Sequence, residues 1–283
     1  MVLSNFHTHS NFSDGSTEPS AYAAEALRQN LGSLGFSDHS PLPFPNTFAL
    51  KEEETNTYCQ TVQQLKEQYR EKGLDIYLGL ETDYIHGIGL PLAWFREHLP
   101  LDYQIGSVHL VSNHTSDLLW FIDGPDPATY DDGLMQLFGG NIRKGVTAYY
   151  NQINEMITAG SLDVVGHLDK IKMHNRGRFF SEEEAWYLKL IDETLHLIKN
   201  TGVIVEVNTR GIYKKRSDTL FPGPALLQKI KNLGIPVMLS SDAHRPEELI
   251  RLFPETTKLL ASIGFRETYI LTPRGWNAHP LNN

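Results

Sequence analysis

Short apolar runs recur along the chain, separated by longer segments of helical periodicity. The runs cover residues 2–6, 31–36, 76–80, 103–108, 162–165, 203–207 and 237–239. Several are almost unbroken in hydrophobicity, as strands buried on both faces are. Thr17, Glu18 and Pro19 predict the cap and first turn of a helix reaching about Asn30. Ser181 and Glu184 have capping-box spacing before an amphipathic run to about Lys199. Gly223-Pro224 opens a helix to about Asn232, and residues 52–70 read as a solvated outer helix. Strands alternating with helices predict a mainly parallel α/β sheet or barrel. Residues 110–152 are less regular, holding Asp123-Gly124-Pro125-Asp126-Pro127 and Gly139-Gly140. They read as a long loop plus a helix: a lid, a substrate-shaping insertion or a plain surface excursion.

Composition narrows this picture. The 283 residues suit one α/β barrel, so residues 1–283 are expected to form a single domain. The lone Cys59 excludes an internal disulfide and fits a reducing, cytoplasmic setting; it reads as a surface or half-buried thiol. Residues 1–6 are too short and uncharged for a signal peptide, and no apolar run nears the ~20 residues that span a bilayer. The formal net charge of −9, without a basic stripe, argues against a nucleic-acid partner, and the lack of a spanning run argues against a membrane one. A small anionic substrate remains compatible, because bound cations reverse a local field. Oligomeric state leaves no mark in the sequence.

The chemistry sits where the strands end. The first run leads into His7-Thr8-His9, with Asp14 close behind, and the second into Asp38-His39. The third leads into Glu81 and Asp83, the fourth into His109 and the fifth into His167. The sixth carries Glu206-Val207-Asn208 and then Arg210; the seventh leads into Asp242-Ala243-His244. In an α/β barrel all these ends face one mouth. Imidazole and carboxylate are the usual ligands of Zn, Mn and Fe in the divalent state. In an extended His-x-His both rings lie on one face and can reach one ion, and a carboxylate such as Glu81 can bridge two. His86, His98, His114, His174, His196 and His279 lack this placement and read as structural or surface residues, with His174 the one to keep in view.

Phe6-His7-Thr8-His9, Ser37-Asp38-His39, Gly79-Leu80-Glu81, Gly106-Ser107-Val108-His109, Gly166-His167 and Ser241-Asp242-Ala243-His244 resemble, in order and spacing, the motifs of the polymerase-and-histidinol-phosphatase (PHP) superfamily. The resemblance spans nearly the whole chain and implies a distorted (β/α)7 barrel with two or three divalent ions, Zn, Mn or Fe. It assigns His7, His9, Glu81 and Asp242 to one ion. Glu81, His109 and His167 fall to a second, and Asp14, His39 and His244 to a third. Glu81, Asp242 and His244 take the catalytic positions, and Asp38 orients a ligand from behind.

Softer stretches, Gly166-His167-Leu168-Asp169, Glu206-Val207-Asn208-Thr209-Arg210-Gly211 and Phe221-Pro222-Gly223-Pro224, are similar to histidinol-phosphatases. They imply hydrolysis of L-histidinol phosphate, a small phosphorylated substrate. The basic stretch after Asp169 departs from the usual pattern. Arg210 is the first candidate for phosphate contact, followed by Arg176 and Arg178, with Asn208 beside it. Two other readings are open: a nuclease or nucleotide phosphatase of the same superfamily, and a non-catalytic metal-binding module.

Overall fold

The computed structural model describes residues 3–281. In chain order its strands are β1 (Leu3–Asn5), β2 (Leu31–Phe36), β3 (Asp75–Asp83), β4 (Tyr103–Ser107), β5 (Leu110–Ser112), β6 (Leu119–Phe121), β7 (Val164–Val165), β8 (Ile204–Asn208), β9 (Val237–Ser240), β10 (Glu267–Thr272) and β11 (Gly275–Pro280). Its helices are α1 (Pro19–Arg28), α2 (Thr55–Arg70), α3 (Leu92–His98), α4 (Pro127–Phe138), α5 (Ile142–Ala159), α6 (Ala185–Thr201), α7 (Arg210–Tyr213), α8 (Pro224–Leu233) and α9 (Phe253–Ile263). Each of the apolar runs became a strand of one seven-stranded sheet, ordered β1-β2-β3-β4-β7-β8-β9. Of the first run, Val2 lies outside the described residues.

Every neighbouring pair in that sheet is parallel. The sheet curls until its two edges meet just beyond the strands. There the His9 N–H donates to the Ala243 carbonyl at 2.8 Å and the Ala243 N–H to the His7 carbonyl at 3.0 Å. The result is the distorted (β/α)7 barrel that the resemblance implied. Its seam runs through two of the ligand-bearing motifs.

The half of the barrel below those motifs is filled by Phe6, Tyr77, Tyr103, Ile105, Val164, Ile204 and Met238. Tyr103 crosses the interior, and its hydroxyl reaches the carbonyls of Phe6 at 2.6 Å and Phe36 at 3.0 Å. Glycine is needed opposite it. A Cβ on Gly35 would stand 2.4 Å from the Tyr103 hydroxyl, and one on Gly79 2.5 Å from the ring. A C-terminal hairpin, β10–β11, packs against this end of the barrel, with the Trp276 ring 5.3 Å from Phe6. No expected element corresponds to it. Its outer strand is largely exposed and lacks a clean apolar period.

Three local expectations need correction. Helix α2 is not fully solvated: Tyr58, Cys59, Val62, Leu65 and Tyr69 recur at helical spacing and bury against the sheet. Cys59 is therefore a core thiol, 6% exposed, and burial pushes its pKa up to about 11. That makes it a poor nucleophile. Helix α6 starts only at Ala185; Glu184 still accepts the Ser181 N–H at 2.9 Å, which is half of the expected capping box. The irregular segment is a β5–β6 hairpin followed by α4 and α5, not a loop plus one helix. Trp120 anchors it, fully buried, where Gly133 and Gly145 leave room for the indole.

The clearance at Gly79 makes a stability prediction. Gly79→Ala should overpack the barrel interior and lower unfolding stability by about 1–3 kcal/mol. Urea denaturation measures it, and an unchanged midpoint would show that Tyr103 moves aside freely.

Candidate metal centre

All of the expected ligands converge at the barrel mouth. His7 Nε2 lies 3.2 Å from Glu81 Oε2 and 3.9 Å from Asp242 Oδ1. His9 Nε2 lies 3.4 and 3.5 Å from the same two oxygens. The other Glu81 oxygen turns to a second group: Oε1 is 3.0 Å from His167 Nε2 and 3.7 Å from His109 Nε2. The two Nε2 atoms of that group are 3.1 Å apart. A third group gathers around Asp14, whose oxygens lie 3.1 Å from His244 Nε2 and 3.9 Å from His39 Nε2. His9 Nδ1 is 3.6 Å from Asp14 as well.

The backs of the rings are held by carboxylates. Glu206 accepts from His7 Nδ1, and Asp83 accepts from both His39 Nδ1 (2.8 Å) and His109 Nδ1. Such a partner fixes the ring and leaves Nε2 to face the mouth. Asp83 and Glu206 stand at strand ends in the sequence, but only the fold shows them behind the rings. Asp38 does not touch a ligand ring. It accepts from the Ser10 and Ser13 N–H and hydroxyl groups, and so shapes the turn that delivers Asp14. Burial pushes the Asp38 carboxyl up to about 6 despite those bonds.

Asp242 adopts a left-handed backbone (φ +52°), which turns its carboxylate into the mouth. Such a residue costs of order 1–3 kcal/mol. The bridge between Ala243 and the His7-Thr8-His9 segment holds it there.

The substrate-contact expectations fared less well. Arg210 does line the cavity, with Nη1 2.7 Å from the Asp242 carbonyl and 2.6 Å from His244 Nδ1. It does not pair with Glu206. Arg178 makes a surface pair with Asp131, and Arg176 bonds the carbonyls of Lys215 and Arg216; neither lines the cavity. Asn208 is buried, does not line the cavity, and donates to Glu206 and Asp242, so it braces those carboxylates. The cations that sequence reading missed are Lys170, paired with Asp123 at 2.9 Å, and Arg216. Lys170 stands in the basic stretch after Asp169, which was the available signal. His174 bonds the Gly124 carbonyl and is structural.

The sequence pattern of the PHP domain matches residues 5–210. The chain belongs to the PHP domain family. It is 29% identical over 251 residues to a probable histidinol-phosphatase of Deinococcus radiodurans, covering 88% of each chain. It is 28% identical to a histidinol-phosphatase of Bacillus subtilis, covering 79% of this chain and 86% of that one. Two solved structures share the fold. One is a putative histidinol phosphatase of Listeria monocytogenes (TM-score 0.77, 20% identity, 89% of this chain and 99% of that one). The other is a histidinol phosphate phosphatase of Lactococcus lactis in complex with Zn, L-histidinol and phosphate (TM-score 0.68, 21% identity, 98% and 99%). The PHP match stops before β9, yet β9 completes the barrel and leads into Asp242 and His244.

The PHP mouth fits divalent ions on its own geometry. His7 Nε2, both ring nitrogens of His9 and His167 Nδ1 are buried without a hydrogen-bond partner. An unsatisfied buried polar group costs about 1–3 kcal/mol, so so many in one place call for an occupant. Donor spacings of 3.0–3.9 Å match the edges of a coordination shell of ~2.1 Å bonds.

Two predictions follow from the ring supports. Asp83→Asn should weaken metal binding about 10–100-fold at the groups containing His39 and His109, measured by chelator competition. Unaltered affinity would remove Asp83 from that task. The second concerns protons. Burial opposes a charge on His39, but Asp83 and Glu81 overcome it and raise the imidazolium to about 10; Glu206, Glu81 and Asp242 likewise raise His7 against burial. Metal-free protein therefore holds these protons at neutral pH. For His39 the stabilising effect is full below the ordinary histidine pKa and is lost as pH rises toward about 10; His7 follows in the same direction. Ligation requires neutral rings, so metal uptake should release protons and tighten as pH rises. Titration calorimetry in buffers of different ionisation enthalpy reads this directly; heats independent of buffer would contradict it.

Proposed function

We propose that this chain is a metal-dependent phosphomonoesterase that converts L-histidinol phosphate and water to L-histidinol and phosphate, a cytoplasmic step of histidine biosynthesis. The observation that carries the reading is the cavity at the mouth, about 290 Å³ in volume. Its floor is the imidazole–carboxylate cluster, its rim carries Lys170, Arg210 and Arg216, and its wall includes Phe48 and Phe121. Anion-binding charge above a cluster of metal-ligating side chains suits a phosphate ester. The two phenyl rings, stacked 6.0 Å apart, give the remainder of a small substrate an aromatic surface. Relatives matched over most of the chain bear the histidinol-phosphatase name, and the Lactococcus neighbour holds L-histidinol with phosphate and Zn. Residues 1–283 act as one catalytic domain in this reading, because Asp242 and His244 lie beyond the matched PHP segment.

The ligand sets are those of the sequence reading. His7, His9, Glu81 and Asp242 would hold one ion; Glu81, His109 and His167 a second; Asp14, His39 and His244 a third, each Zn, Mn or Fe. When bound, such ions supply Lewis acidity toward phosphoryl oxygens and a hydroxide near neutral pH. The chain's own groups do the rest. Glu81 holds two groups in register through its separate oxygens. Arg210 and Lys170 keep their protons, because neighbouring carboxylates raise both against the effect of burial, and they supply fixed positive charge. Arg210 also bonds the Asp242 carbonyl, so phosphate contact and ligand placement are linked through one guanidinium. The buried floor and aromatic wall limit bulk water around the ester.

Histidinol phosphate should be hydrolysed with a kcat/KM far above that for p-nitrophenyl phosphate, nucleotides or single-stranded oligonucleotides. Comparable rates on all would defeat the assignment, and a preference for oligonucleotides would make this PHP chain a nuclease. Asp242→Ala should nearly abolish turnover and lose metal without unfolding the chain. Arg210→Lys and Arg216→Ala should each cost about 1–3 kcal/mol in kcat/KM, as expected for a charge-assisted bond. Arg176→Ala and Arg178→Ala should stay close to wild type. The reverse order would relocate phosphate to the loop of residues 176–178.

A further inference from the structure

Outside the mouth, another set of metal-ligating side chains comes together on the surface. His86, His114 and Glu155 each offer one donor atom, all within 4.8 Å of one another. They come from three separate elements: the loop after β3, the tip of the β5–β6 hairpin, and α5. His86 Nδ1 is 2.7 Å from a Glu155 oxygen, and the two imidazole rings meet edge to face at 4.0 Å.

The scaffold beneath them is rigid. Gln152 is fully buried, and its side chain joins the same three elements. Its amide donates to the carbonyls of Tyr84 (2.7 Å) and Leu110 (2.8 Å), and its oxygen accepts the Ser112 N–H (3.1 Å). Each candidate ligand lies two or three residues beyond one of these anchor points. His86 follows Tyr84, His114 follows Ser112, and Glu155 is one helical turn on from Gln152. His114 also holds a left-handed backbone (φ +59°), rare for residues other than glycine, with its N–H donated to the Ser112 hydroxyl at 3.0 Å. That conformation puts its ring beside His86.

We infer that His86, His114 and Glu155 form a peripheral binding site for one divalent transition-metal ion of the zinc class, separate from the mouth cluster. Two imidazoles and one carboxylate are a borderline donor set that favours such ions over Mg or Ca. The side chains are exposed or half-buried, so water completes the coordination. Closing the donor spacing to the ~3.3 Å of a tetrahedral shell needs only rotation of exposed rings. The ion would clamp the hairpin tip to α5. The base of that hairpin carries Phe121 and Asp123 into the cavity, and the Ile122 N–H is tied to the His109 carbonyl at 3.1 Å. The site is thus a clamp on the segment that walls the mouth. It does not depend on which ester the mouth hydrolyses.

The test is zinc uptake by the full chain at buffered free zinc, read by elemental analysis after the mouth cluster is filled. Wild type should bind one equivalent more than His86→Gln, His114→Asn or Glu155→Gln. Asparagine is chosen at 114 because it tolerates the left-handed backbone. Each substitution should weaken that last equivalent at least about 10–100-fold, the loss that even a supporting residue produces. His196→Ala, an exposed histidine whose ring bonds only its own helix, serves as control and should bind as wild type does. Equal uptake by wild type and the three variants would overturn the proposal. So would an equal loss in His196→Ala, which would mean scattered surface binding.

Discussion

The mouth of this barrel depends on carboxylates that hold the histidine rings from behind. Glu206 accepts from His7 Nδ1, the His167 N–H, the Asn208 amide and the Ser240 hydroxyl. Asp83, at the end of β3, accepts from His39 and His109. Between them these two side chains connect the ends of all the barrel strands. Burying a carboxylate costs several kcal/mol unless it is well bonded. Here the bonds win. Burial pushes the Glu206 and Asp83 carboxyls upward, yet the facing imidazoles bring both below their ordinary values. A carboxylate ionised at the centre of the mouth in turn sets which ring nitrogen faces inward.

Much of this was legible because barrel strands and ligands obey one rule. Unbroken apolar runs marked the strands, and a polar ligand type immediately after each run marked the mouth. The structure accordingly gathers His7, His9, His39, Glu81, His109, His167, Asp242 and His244, which sit at such ends, with Asp14 just beyond one, at a single mouth. That mark does not separate a ligand from a residue that supports one. Glu206 and Asp83 look in sequence like further ligands; only the folded geometry shows them facing the far side of the rings. Asn208 was misread for the same reason. Arg176 and Arg178 sit in a stretch that stays buried through Asn175 and is exposed only from 176 to 179, and no periodicity announces that turn. The solvated reading of α2 was avoidable, since residues 58, 62, 65 and 69 are apolar or aromatic at helical spacing.

The subfamily-like stretches have a structural meaning that residue types alone did not reveal. Asp169, from the Gly-His-Leu-Asp stretch, accepts the Gly223 N–H at 2.9 Å. Asn208 and Phe221 exchange backbone hydrogen bonds at 2.7 and 3.1 Å. A Cβ on Gly223 would stand 2.5 Å from Lys172 Nζ. The three stretches are thus one assembly that lies against the mouth beneath Arg210. They shape the rim of the cavity, and of their side chains Arg210 lines it.

Charge decides how the rim must work. Three divalent ions would bring about six positive charges, and the ligands Asp14, Glu81 and Asp242 would offset half of them. Asp83 and Glu206, unassigned from sequence, are ionised at the same mouth and offset most of the remainder. A hydroxide and a phosphate dianion would then exceed the positive charge left over. With the Asp123 carboxylate counted as well, Lys170, Arg210 and Arg216 at the rim would together make up that difference. Asp123 holds Lys170 at the rim and is itself kept ionised at about 2, burial notwithstanding, by Lys170 and His109. A phosphate ester at this mouth would therefore lie between ions below and fixed cations above, and loss of either layer would leave the other short of charge.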